Sequence, residues 1–79
     1  MIFLIEYDRG RGKLLSLTQF SPDRRAVAEA ERLVREIELN AIGVEREIVL
    51  LEAQDEDSLR ATHRRYFEGV EQLSVPAPR

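Results

Sequence analysis

The chain has 79 residues, 43% of them apolar, with twelve basic against fifteen acidic side chains, one histidine and no cysteine. A chain of this length forms one small domain that buries only about 60–65% of the surface it exposes when unfolded. The missing cysteines exclude disulfides and thiolate metal sites, two of the usual supports for so small a core, and leave self-association.

The net charge of −3 argues against a general nucleic-acid binder, which carries a basic face to neutralise phosphates. The charge is unevenly spread. Residues 1–25 hold five cations against three carboxylates, a balance of +2, and the remainder holds seven against twelve, a balance of −5. The opening Met1-Ile2-Phe3-Leu4-Ile5 is too short for a signal-peptide core and is followed at once by Glu6 and Asp8. No later stretch approaches membrane length. A cytoplasmic protein without a membrane partner is therefore expected, and the absence of cysteine fits a reducing compartment.

Ile2 to Tyr7 is β-branched and aromatic and reads as a strand. Ile2 and Leu4 fall on one face and Phe3, Ile5 and Tyr7 on the other, the pattern of a central strand covered twice. Asp8-Arg9-Gly10-Arg11-Gly12-Lys13 reads as a hairpin loop whose two glycines supply positive φ. The second strand, roughly Lys13 to Phe20, alternates Leu15 and Leu17 with Ser16 and Thr18 and suits an exposed edge.

Residues 21–43 read as one long amphipathic helix. Ser21 is placed as N-cap, Pro22 at the first helical position, and Gly43, or Asn40 one turn earlier, at the end. At about 100° per residue Val27, Ala30, Leu33, Val34, Ile37 and Ala41 form one stripe, with Arg25, Glu29, Arg32 and Glu36 opposite. That stripe needs a sheet or another helix to cover it. Leu39 lies well off it, beside Ala28 and Arg35, either as a scattered surface leucine or as part of a second contact surface.

Val44 to Ala53 reads as a third strand, with Ile48-Val49-Leu50-Leu51 apolar on both faces. Asp55 or a neighbour starts a second helix, in which Leu59, His63, Tyr66, Val70 and Leu73 recur at helical spacing; Gly69 weakens it and can end it near Glu68. The segment Ser74 to Arg79, with two prolines, cannot continue a helix. The whole predicts an α+β fold of order ββαβα: a three-stranded antiparallel sheet, spatial order 2-1-3, against a long helix and a shorter second one. Residues 1–73 form the domain and 74–79 a flexible tail.

This placement leaves the doubly apolar third strand on an edge. If the second helix shares the first helix's face, the opposite side of the sheet needs another subunit; if it takes the other face, the free edge invites pairing with a symmetry mate. Both alternatives lead to a homodimer. Leu39, Ile48, Leu50, His63, Tyr66 and Phe67 are the candidate interface residues.

Chemistry is sparsely signalled. His63 is the only side chain that ordinarily titrates near neutrality, but its place between Leu59 and Tyr66 suits a packed imidazole, and no local orienting partner or nucleophile accompanies it. No metal-ligand spacing occurs and no cofactor motif is present, so no catalytic, metal or cofactor residue is assigned. Arg9, Arg11 and Lys13 in the hairpin, with Arg60 and Arg64 on the second helix, could hold an anion or nucleic acid, or could be a solvated loop tip and a helix flank half neutralised by Glu56. The expected function is a non-catalytic interaction or regulatory module acting as a homodimer, with anion or nucleic-acid binding as the alternative.

Overall fold

A computed structural model describes residues 1–68. It contains strands β1 (Ile2–Asp8), β2 (Lys13–Phe20) and β3 (Glu47–Glu52), a long helix α1 (Arg25–Ala41) and a short helix α2 (Glu56–Thr62), with 3-10 turns at Pro22–Arg24 and Arg64–Tyr66. The sheet order is β2-β1-β3, antiparallel throughout. The α+β fold and the central place of the first strand are as the sequence pattern implies. Gly69 as a helix end, Val70 and Leu73 as stripe members and the tail at 74–79 lie outside the described residues.

β1 is buried along both faces and divides the core in two. Phe3, Ile5 and Tyr7 join Leu59, Tyr66 and Phe67, with Leu14, Leu17, Val49 and Leu51 at the margin. Ile2 joins Phe20 and Ala28, with Leu4 and Leu50 beside them. The second helix therefore takes the sheet face opposite α1, and β3 is left on an edge.

Four local details differ from the sequence expectation. The pairing of β1 with β2 slips between Glu6 and Tyr7, so that Leu14 rather than Leu15 stands opposite Tyr7. The extra residue of this bulge, Leu15, is turned outward, out of step with Leu17. Only Gly12 of the two loop glycines has positive φ, at 65°. The hydroxyl of Ser21 donates to the Asp23 carboxylate instead of capping a helix amide, and a 3-10 turn precedes α1. Finally, α2 stops at Thr62. The Thr62 hydroxyl donates back to the Ser58 carbonyl, and His63 leaves the helical region at φ −125°, ψ 54°. The break lets Tyr66 and Phe67, adjacent in sequence, both reach the core reached by Leu59.

The end of α1 is fixed as expected by Gly43, at φ 70°. Its N–H donates to Asn40 O (3.1 Å) and that of Val44 to Leu39 O (2.9 Å), the paired bonds of a Schellman ending.

The largest departure concerns which side of α1 meets the sheet. Ala28 (0% exposed) and Leu39 (5%) are buried, whereas Leu33 and Val34 (54% each) and Ile37 (57%) are open. At about 100° per residue, Ala30 and Ile37 stand nearly opposite Ala28 and Leu39. The helix is seated by its sparsely apolar side and turns its apolar stripe away from its own sheet.

Candidate interaction surface

The seating of α1 is built from one small residue and a set of ion pairs. Ala28 has no side chain beyond Cβ and lets the helix approach closely above Ile2 and Phe20. Glu6, in the middle of β1, is buried and cannot stand there uncompensated. Arg35 meets it with two donors, Nε at 2.8 Å and Nη2 at 3.2 Å, and Arg46 Nε lies 3.6 Å away. The Glu6 carboxylate, with the hydrogen bond as the leading cause, holds the Arg35 guanidinium above its ordinary pKa. Arg25 reaches Glu52 at the far end of β3. A charged residue inside an otherwise apolar strand is the sequence signal for the Glu6–Arg35 pair; the pattern alone does not name its partner.

The opposite sheet face carries a second network, centred on Glu47. Its carboxylate accepts from the Tyr66 hydroxyl and from Arg65 Nη2 (2.5 Å), with Arg9 Nε at 3.8 Å. The Tyr66 hydrogen bond, then Arg65, keeps the Glu47 carboxyl below its ordinary range against the opposing effect of burial. Burial first, then Glu47, pushes the Tyr66 phenol up. Tyr66 packs edge-on to Tyr7, ring centroids 5.2 Å apart at 87°, and the Arg65 guanidinium lies 4.2 Å from the Tyr66 ring. Arg65 lies outside the basic set expected from the sequence, and Glu47 is the residue on which it, from the 3-10 turn, and Arg9, from the hairpin loop, converge.

The candidate anion-binding residues are dispersed among carboxylates. Arg9 pairs with Glu47, Arg11 with Asp8 (3.7 Å), Arg60 with Glu56 (2.8 Å) and Arg64 with Glu68 (3.0 Å). Arg60 also stacks 4.5 Å from the Phe67 ring, and Lys13 opens β2 opposite Asp8. His63 is half-buried where α2 breaks, its Nδ1 2.9 Å from Thr62 Oγ1.

Of the candidate interface residues, Leu39, Ile48, Tyr66 and Phe67 are buried within the single chain, and Leu50 and His63 are half-buried. Among the described residues the exposed large apolar side chains are a different set: Val27, Leu33, Val34 and Ile37 on α1, Ile42 (70%) just beyond it, and Met1 and Leu15 elsewhere. Beside the helix, a bay of about 630 Å³ opens over the sheet, floored by Leu4 and Ile48, walled by Val27, Ala30 and Val34, with Ser16 of β2 on its far side. A second hollow, about 770 Å³, lies on the other flank, where Leu33 and Ile37 face Arg9, Val44 and Arg46.

No family model matches the chain, and neither a curated protein nor a solved structure does. Among the described residues no helix is long and apolar enough to cross a membrane.

Proposed function

We propose that this chain is a non-catalytic interaction or regulatory module that acts as a homodimer in the cytoplasm. The observation that carries this reading is the outward apolar stripe of α1, with Leu33, Val34 and Ile37 each more than half exposed in a chain of 79 residues. Single exposed apolar residues are ordinary, but four on one helix face beside an apolar bay are the pattern of a surface that is covered in use. The ion pairs of Glu6 and Glu47 support a role in holding the fold rather than in chemistry, since each carboxylate is met by arginines of its own chain. Glu47 Oε1 and Arg46 Nε are buried without a hydrogen bond and have opposite charges only at ion-pair distance. The cytoplasmic part of the reading draws on the lack of cysteine, which suits a reducing compartment.

The deciding experiment is the solution mass by multi-angle light scattering, at low and at moderate salt. A particle of twice 9.1 kDa at both is expected, because an apolar interface is insensitive to screening. A monomer at both salts and at concentrations up to the millimolar range refutes the homodimer.

A further inference from the structure

We propose that the homodimer forms face to face, with α1 of each copy seated in the bay of the other, so that two sheets enclose a middle layer of two α1 helices. The inference builds on the homodimer reading and adds the surface, the occupant and the symmetry.

Three observations lead to it. First, α1 covers only part of its sheet face: Ile48 is buried beneath it and Glu6 is held by Arg35, but Leu4 is only half-buried and beyond it the β2 row of Ser16 and Thr18 is exposed. What is missing above that floor is one more helix. Second, the same chain has a helix face with nothing over it, and that face is apolar. Val34 and Ala30 form the bay wall while Ile37 points further from the chain's own sheet. A helix entering the bay would meet Val27, Ala30 and Val34 at its side and the Leu4 floor below. Its own stripe supplies the apolar surface for both contacts. Hole and knob lie on one patch, which is what an isologous interface requires. Third, the dimensions agree. A helix of 17 residues is about 25 Å long, as are strands of seven or eight residues. With helices about 8–10 Å apart, the shared footprint is about 25 by 20 Å. That is on the order of 500 Å² in projection, and more in accessible surface. A specific interface needs roughly 800 Å² per partner, about one-seventh of the 5508 Å² this chain exposes.

The symmetry follows. With sheets on opposite sides of the helix layer, the two-fold axis runs along the helices, and each bay-wall residue faces its own copy. Pairing of β3 edges, the rival two-fold arrangement, uses an axis perpendicular to the sheet and leaves the bay empty.

The test uses the full chain, in which any introduced cysteine is unique. Val34→Cys is expected to give a covalent dimer with a short bismaleimide, and Ile42→Cys, exposed but outside the bay, is not. Ala30→Arg, at an exposed helix position, is expected to weaken self-association by at least about 100-fold while leaving the helical circular dichroism intact, because a long charged side chain placed in the contact would hold the two helices apart even where Glu31 or Glu38 meets its charge. Ile42→Arg should leave the dimer unchanged. A wild-type dimer that survives Ala30→Arg and shows no crosslink through Val34→Cys overturns the bay arrangement while the homodimer stands. A wild-type monomer overturns both. A monomer in which the thiol of Val34→Cys is protected from alkylation identifies residues 69–79 of the same chain as the occupant and likewise overturns the proposal.

Discussion

Truncating Leu39 and Leu33 separately to alanine tests directly which side of α1 holds the sheet. The substitution is the same, the helix is the same, and the helix-propensity change cancels between them, so the difference reports burial alone. Leu39 is 5% exposed, and its removal forfeits the transfer free energy of the side chain and leaves a void, about 2.5 kcal/mol, toward the lower end of the range for buried leucines because the adjoining hollow lets the site relax. Leu33 is 54% exposed and has already kept half its surface in water, so its removal should cost below about 1 kcal/mol. With a urea dependence of about 1 kcal/mol per molar for so small a chain, the midpoint should fall by about 2.5 M for Leu39→Ala and by less than about 1 M for Leu33→Ala. The measurement belongs at concentrations dilute enough for the monomer. The Leu39 loss should not vary with concentration, whereas the Leu33 loss should grow at higher concentrations if the proposed dimer forms there. Equal losses in dilute solution, or a larger one at Leu33, would mean that the apolar stripe seats on the chain's own sheet and would refute the seating described here.

Gly43→Ala should lower stability by about 1 kcal/mol, seen as a fall in Tm of about 4–8 °C: a Cβ there meets nothing within 4 Å, so the cost is the left-handed backbone alone, and an unchanged Tm would remove Gly43 from the helix ending. Glu47 has its pKa lowered in the fold, so its contribution is fully present above the ordinary carboxyl value of 4.5 and is lost as pH falls through the lower folded value; Glu47→Gln should flatten the acid limb of stability below pH 4.5. Tyr66 has its pKa raised, so its contribution is present below pH 10 and lost as pH rises through the higher folded value; in an ultraviolet titration Glu47→Gln should bring its ionisation to lower pH, and no movement would separate the two groups. Because Arg9, Arg11, Arg60 and Arg64 each hold a carboxylate, a short single-stranded oligonucleotide should bind more weakly than about 100 μM at physiological salt, and tight binding with a steep salt slope would favour the anion-binding alternative.

The sheet is legible in the sequence because its signals are local and redundant. Ile2 to Tyr7 is apolar on both faces and must be central; Gly12 and Gly43 stand where positive φ is needed. What periodicity cannot report is the object opposite a face. It groups the stripe of α1 correctly, since Val27, Val34 and Ile37 do share a side, but grouping carries no information on what covers them. The seat is decided by terms that a hydrophobicity pattern weights wrongly. Ala28 contributes closeness rather than area, and Arg35 contributes compensation for buried Glu6. The same blindness applies to the interface candidates. Tyr66 and Phe67 are aromatic residues of the kind enriched at interfaces, and the break at His63 instead commits both to the chain's own core. The bulge that moves Leu14 inward has no sequence marker at all, because Leu14 and Leu15 are identical and only the pairing with Tyr7 distinguishes them.

The two sheet faces are unequally closed, and the inequality has a physical source. One face receives Leu59, Tyr66 and Phe67 from a short segment that is free to break wherever a side chain must reach the core, and it is covered with three large residues. The other receives a stiff 17-residue helix tied down by Arg25 to Glu52, Arg35 to Glu6 and Gly43 at its end. A rigid rod fixed at those places cannot roll to bring Val34 and Ile37 onto the sheet without breaking the Arg35–Glu6 pair and leaving the buried carboxylate to Arg46 alone, a loss that opposes the gain in apolar contact. The ion pairs therefore do not merely stabilise the chain. They hold the apolar side of α1 outward against the tendency of its own core to recapture it, and so keep available the surface that a second copy would bury.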